Sequence, residues 1–145
     1  MSLDGVYDPD NIFAKIVRGD MPSAKVFEDH NTMAIMDAFP QGPGHVLVIH
    51  KRAPARNLLD IEPDALNEVM ATVQRVSRAM IATLKPEGLL VTQFNGSAAG
   101  QTIFHLHFHL LPRWKQIPLG RHAGGQMADL GELTKQAHAI ALEIA

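Results

Sequence analysis

The chain has 145 residues, 46% hydrophobic and 19% charged, with a formal net charge of −2. That is enough for one domain with a real core and too apolar for a disordered segment. No basic run offers a nucleic-acid groove and no apolar run nears the ~18–20 residues of a membrane span, so neither partner is expected. Cysteine is absent, which excludes disulfides; with no secretory leader in view, a cytoplasmic protein is expected.

In chain order, residues 1–10, with Asp4, Gly5, Asp8, Pro9 and Asp10, read as a loose arm. Asn11 to Val17 fits a short helix capped by Asn11 or Asp10 and stopped near Gly19. Lys25–Asp29, Thr32–Asp37 and His45–His50 read as strands parted by polar or Gly/Pro turns. The turn Pro40-Gln41-Gly42-Pro43-Gly44 is stiff and presents His45 at the start of its strand. Pro63 to Leu84 is a long helix, with Leu66, Val69, Met70, Val73, Val76, Met80, Ile81 and Leu84 forming one apolar stripe. Strands follow at Leu89–Phe94 and Phe104–Leu111, and Pro112 and Pro118 are expected to end regular pairing. Gln126 to Ile144 is the last predicted helix. The order α-β-β-β-α-β-β-α implies an α+β fold: a five-stranded antiparallel sheet with helices on one side and a long central helix.

His105-Leu106-His107-Phe108-His109 carries the chemistry. On a strand, side chains alternate faces, so the three imidazoles share one face and Leu106, Phe108 and Leu110 fill the other. Imidazole titrates near neutrality and can act as nucleophile, acid, base or ligand. Each buried ring must find hydrogen-bond partners, so three on one face are hard to explain as packing. The preceding loop, Asn95-Gly96-Ser97-Ala98-Ala99-Gly100-Gln101-Thr102, is small and polar. Such a loop can turn its N–H groups inward as an anion nest.

Ala99 to Arg113, including Gln101-Thr102 and the histidine run, resembles the signature of the histidine triad (HIT) family of nucleotide hydrolases and transferases. Asn11 to Pro22, Val26 to Asp29, Ala34 to Asp37 and Pro40 to Ile49 resemble further blocks of that family, in its order and spacing. The resemblance implies a HIT domain over 11–113, after the arm of 1–10, with 114–145 a C-terminal helical extension packed on it. It implies that His107 attacks the α-phosphorus of a purine nucleotide conjugate, a phosphoramidate or dinucleoside polyphosphate, through a nucleotidyl-histidine that water hydrolyses to a nucleoside monophosphate. His109 would sit by the leaving group, and His105 and His45 would complete the catalytic set. Asp37 would bind the ribose, and Ile12, Phe13 and Ile35 would surround the base. Gly100 belongs to the phosphate cradle, with Gln101 and Thr102 on phosphate oxygens. A homodimer pairing through the long helix and the strand after it is implied as well.

Two departures stand out. Zinc-bearing members place cysteines and a histidine where this chain has Asn11, Ala14 and Ala53, so neither a metal nor another cofactor is expected. Many members have Asn or Gln where this chain has Phe94, and Asn95 is the candidate replacement. Two other readings stay open: a zinc-dependent hydrolase on His105, His107 and His109, since His-x-His is a good zinc pair, and a nucleotide-binding sensor or scaffold with little turnover. His30, His122 and His138 read as surface histidines, and Trp114 as packing or a lid.

Overall fold

Asn11 opens the first helix by accepting the Ala14 N–H at 3.0 Å, and Gly19 closes it in the left-handed conformation at φ 84°. The computed structural model describes residues 3–122 and 125–145, so Met1 and Ser2 of the expected arm lie outside it. The elements are α1 (Ile12–Arg18), β1 (Lys25–Glu28), β2 (Thr32–Met36), β3 (Val46–His50), α2 (Pro63–Leu84), β4 (Gly88–Thr92), β5 (His107–Arg113) and α3 (Leu130–Ala141). A single 3-10 turn, Ser97–Ala99, lies in the loop before β5. The five strands form one antiparallel sheet in the order β1-β2-β3-β5-β4.

Alternation along the central strands divides the sheet cleanly. Ala34, Met36, Val46, Val48, Phe108 and Leu110 face α2 and α3 and make the main core with Val69, Val73, Val76, Met80, Leu133 and Ile140. Met33, Ile35, Leu47 and Ile49 face the opposite side and pack with Phe13, Ile16 and Val17 of α1. The helices are therefore not all on one side, as the element order suggested. The seven-residue α1 covers the second face.

Several boundaries differ from expectation for identifiable reasons. β5 begins at His107, so His105 precedes the strand. It also runs through Pro112, which pairs with Leu89. The Arg113 carbonyl accepts the Glu87 N–H at 2.9 Å, so Pro112's missing N–H points away from β4. On that side pairing with β3 has already stopped at Leu110. α3 starts at Leu130 rather than near Gln126, because Asp129 caps it by accepting the Glu132 N–H. In α2, Met70 and Ile81 are exposed, whereas Thr72 and Ala79 are buried. Met70 and Ile81 lie on one flank of the apolar stripe and Thr72 and Ala79 on the other; the Thr32–Thr72 hydroxyl bond of 2.6 Å fixes which flank meets the sheet.

Two backbone positions are fixed by close contacts. Gly44, before His45, has φ 75°, and a Cβ there would lie 2.6 Å from Leu84 Cδ1 and 3.2 Å from Pro112 Cγ. Only glycine fits that turn. Near the N-terminus, the Leu3 carbonyl accepts from Asn57 Nδ2 at 3.1 Å and from Arg56 Nη1 at 3.3 Å. Among the described residues, no helix is long and apolar enough to cross a membrane.

Candidate active site

Strand parity puts His107 and His109 on the α1 face, opposite Ile49 and Leu47 of β3. They line a cavity of about 340 Å³. Its apolar end is made by Ile12, Phe13, Ile35, Leu47 and Ile103; Asp37, Thr102 and Ser23 are also in the lining, and Leu130 and Leu133 of α3 close one wall. Phe13 is buried, and its ring meets His107 edge-on at 4.8 Å. That contact fixes the nucleophile candidate from the helix side.

The hydrogen bonds assign the tautomers. A carbonyl only accepts, so His107 donates from Nδ1 to the His105 carbonyl at 2.7 Å. The lone pair of a neutral His107 ring then sits on Nε2. His105 donates from Nε2 to the His50 carbonyl at 3.0 Å, and its Nδ1 accepts from the Tyr7 hydroxyl at 2.7 Å. His45 accepts the Gln41 N–H at Nδ1, 3.1 Å away, so its proton is on Nε2, which donates to His109 Nδ1 at 2.9 Å. His109 must therefore carry its own proton on Nε2. That buried nitrogen has no hydrogen-bond partner among the described residues. A lone pair on His107 and an unused N–H on His109 thus stand on neighbouring rings, 4.9 Å apart between centroids.

Electrostatics keep this arrangement neutral. Burial, reinforced by the neighbouring histidines, pushes His109 down from 6.5 to about 2. Burial pushes His105 to about 4, and His45 to about 4 against the opposing pull of Asp37. Burial also lowers His107, opposed by its bond to the His105 carbonyl and by Asp37. Desolvation disfavours the cation in each case. Neutral imidazoles at pH 7 are what a nucleophile and a hydrogen-bond donor of this kind require.

Asp37 sits at the cavity with Oδ1 accepting the Phe39 N–H at 2.8 Å and Oδ2 3.4 Å from His45 Nε2. Asp37, His45 and His109 each bring a ligand atom within 4.8 Å of the others, the one such metal-capable group among the described residues. The triad rings themselves do not converge on a point. Both nitrogens of His105 are engaged with Tyr7 and His50, away from a shared ligand position. Asn11 and Ala14, at the positions of the missing zinc ligands, form the cap of α1 instead.

The loop before β5 differs from the expected anion nest. The N–H groups of Ala99, Gly100 and Gln101 bond to carbonyls within the loop, and that of Gly96 bonds to Gln101 Oε1. Gln101, expected on phosphate, is buried and donates to the Arg56 and Ile103 carbonyls at 2.7 and 3.1 Å. It staples the loop rather than facing the cavity. Asn95 is tied to Gln93 and to the Leu58 N–H, and lines a separate hollow with Leu3, Gly96 and Ala98. Thr102 does line the histidine cavity. Phe94 stands 5.4 Å from the His109 ring, and Trp114 is not in the lining.

His122 overturns its reading as a surface histidine. Its ring lies 5.2 Å from His109 and 4.8 Å from Phe94, it lines the cavity, and its Nε2 donates to the Gly100 carbonyl at 2.8 Å. This also gives Gly100, expected at the phosphate, a role as acceptor for His122. No periodic pattern in the sequence around His122 places its ring there. His50 is structural: its Nδ1 accepts the Arg52 and Ala53 N–H groups, and its Nε2 faces Glu68 at 3.2 Å. His30 pairs with Arg52 at the surface.

With this geometry in hand, the likenesses are specific. Residues 18–116 match the family described as the HIT domain. The crystal structure of a HIT-like protein involved in cell-cycle regulation from Bartonella henselae, with an unknown ligand, superposes with TM-score 0.90 at 39% identity, covering 97% of this chain and 100% of that one. "Protein hit" of Bacillus subtilis is 38% identical over 71% of this chain and 70% of its own length. The adenosine 5′-monophosphoramidase HNT1 of Candida albicans is 32% identical over 92% and 91%. The adenylylsulfatase HINT3 of Arabidopsis thaliana is 33% identical over 79% of this chain and 60% of its own length. The chain belongs to the HIT family, which includes nucleotide hydrolases.

Proposed function

We propose that the protein is a nucleotide hydrolase that cleaves a purine nucleotide conjugate at its α-phosphorus through a covalent nucleotidyl-His107. One observation carries this reading: His107 presents a lone pair at Nε2 while its neighbour His109 holds an unused, buried N–H. Attack forms the Nε2–P bond and breaks the bond from phosphorus to the leaving group, whose electrons stay with that group. When the leaving group is an amine, the His109 N–H proton goes to its nitrogen. The water that next attacks the same phosphorus returns a proton to His109 as the N–P bond breaks and the nucleoside monophosphate leaves. Aligned reactants and a pre-set proton donor are the two large terms such a step needs.

The cavity suits the rest of the nucleotide. Ile12, Phe13, Ile35 and Ile103 offer an apolar slot for a base, and Asp37 is placed to accept ribose hydroxyls through the oxygen not held by Phe39. Thr102 offers a hydroxyl to the phosphate. The names of two relatives, an adenylylsulfatase and an adenosine 5′-monophosphoramidase, support an adenylyl substrate with either an oxygen or a nitrogen leaving group. A homodimer is part of the proposal. β4 is an edge strand with Leu90 and Val91 exposed, and α2 leaves Met70 and Ile81 exposed. Exposed apolar groups along an unpaired strand favour pairing with a second copy.

The test is a quenched reaction of adenosine 5′-phosphoramidate analysed by mass spectrometry. An adenylyl adduct on the peptide carrying His107, absent from His107→Ala, is the expected result. Turnover without an adduct, or an adduct on another histidine, would remove the covalent mechanism. Binding without turnover would leave the sensor reading.

A further inference from the structure

We infer that His122 reads the leaving group, favouring substrates that release an oxyanion over those that release an amine. The inference rests on the adenylyl-transfer reading of His107 and adds a residue to it. Among the described residues, the cavity lining contains no lysine or arginine. The histidines of β5 are held neutral by burial. His122 is half-buried and is held through the residues before it and through its own ring. Before it, the Gly120 N–H donates to the Gln41 carbonyl at 2.6 Å and Gln41 Nε2 donates back to the Gly120 carbonyl at 3.2 Å. A Cβ at Gly120 would meet the Gln41 carbonyl oxygen at 2.8 Å, so this close seating depends on glycine. The Gly120–Gln41 pair and the bond to Gly100 hold the ring against the site.

The ring's hydrogen bonding gives it a direction. Nε2–H is committed to the Gly100 carbonyl, so Nδ1 is the nitrogen left to act. Neutral, Nδ1 only accepts; protonated, it donates with a positive charge. The titratable groups around it are His107 and His109 of β5, His45 before β3, and Asp37 after β2. Two kinds of leaving group make opposite demands. An amine must be protonated as its bond to phosphorus breaks, which is the role given to His109 Nε2–H. A sulfate or phosphate departs with the bonding pair on oxygen as a stable anion and needs no proton. It needs a cation nearby, and a charge-assisted donor in a dry site is the stronger kind. Phe94, packed on both His109 and His122, keeps that corner apolar and offers no competing polar group.

The experiment compares kcat/KM for adenosine 5′-phosphosulfate and adenosine 5′-phosphoramidate in the wild type, His122→Ala and His122→Gln. Glutamine keeps an N–H for the Gly100 carbonyl but holds no proton. Both variants should lower the phosphosulfate-to-phosphoramidate ratio by at least about tenfold. Ratios within about threefold of the wild type in both variants overturn the inference. So does loss of both activities in His122→Ala with recovery of both in His122→Gln, which would make the ring a prop for its loop. If the wild type turns over neither substrate and forms no adduct, the hydrolase reading falls and takes this one with it.

Discussion

The two faces of strand β5 use the same backbone for opposite purposes. Phe108 and Leu110 point into the core with Val46, Val48, Val73 and Met80, where the only demand is close packing. His107 and His109, one residue away on the other face, are buried as deeply but are polar, and their rings are held by named acceptors and donors. One face contributes stability through apolar area removed from water. The other gives some back, because its two imidazoles, with His45 and His105 beside them, are kept out of water and kept neutral. The comparison separates residues whose loss should unfold the protein from residues whose loss should silence it.

The sharpest way to test that separation is a pair of neighbours. His107→Ala should lower turnover by at least about 10⁴-fold, since it removes the proposed nucleophile and leaves the proton donor nothing to assist. Its melting temperature should stay near that of the wild type, because the ring borders an existing cavity. Leu110→Ala should do the reverse, costing about 2–5 kcal/mol of stability at a fully buried core position, while the folded fraction keeps its kcat. Chemical denaturation and single-turnover kinetics on both variants decide it. A His107→Ala variant as unstable as Leu110→Ala would mean the two faces are not functionally distinct.

Acid should attack the histidine face first. His45 and His105 bind a proton only near pH 4 when folded, and His109 only near pH 2, against 6.5 in the free side chain. Between those values the unfolded chain holds protons that the folded chain does not, so lowering the pH from about 6.5 towards about 4 favours unfolding. Each such histidine contributes up to about 1.4 kcal/mol per pH unit inside that window. Calorimetric scans from pH 7.5 to about 4.5 should therefore show a falling melting temperature and proton uptake on unfolding. Substituting His45 by Gln should make that slope shallower. A melting temperature flat through the window would contradict the depressed values.

Much of this division was legible beforehand, because it depends on local periodicity. The two-residue step in His105–Leu111 placed both faces of β5, and the three- and four-residue steps in Pro63–Leu84 placed α2. What failed had long-range causes. Which flank of α2 meets the sheet depends on a Thr32–Thr72 bond across 40 residues. The path of β5 through Pro112 depends on where β3 stops beside it. His122 reaches the site because Gly120 before it is pinned to Gln41, a pairing with no local pattern. Gln101 carried the expected residue type, but its amide was claimed by its own loop. The site was readable where it lay on a strand and obscure where it lay on loops.

A smaller effect separates the ribose from the reacting phosphorus. Asp37→Ala should weaken binding of AMP by about 1.5–3 kcal/mol, the range for a hydrogen bond to a charged group, and leave 2′,3′-dideoxy AMP nearly unaffected. Calorimetric titration with the two ligands gives the comparison directly. Equal losses would show that Asp37 acts through His45, 3.4 Å away, and not through the sugar.

The smallest expected effect is at the far end of the same hydrogen-bonded chain. Tyr7 Oη donates to His105 Nδ1, His105 donates from Nε2 to the His50 carbonyl, and the His105 carbonyl receives the His107 Nδ1 proton. Tyr7→Phe keeps the ring contact with His105, 5.8 Å between centroids, and removes only the hydroxyl. It leaves a buried acceptor without its donor, worth about 1 kcal/mol. Because His105 is then held only by its bond to the His50 carbonyl, part of that loss should reach the nucleophile as a fall in kcat of up to about fivefold with KM nearly unchanged. A deletion of residues 1–7 should reproduce that fall and add a stability loss, because it also removes the Leu3 carbonyl that Arg56 and Asn57 hold. If Tyr7→Phe changes KM alone, the tyrosine shapes the cavity rather than the triad. If it changes neither constant while the deletion does, the arm contributes through Leu3 and the histidine face is self-sufficient.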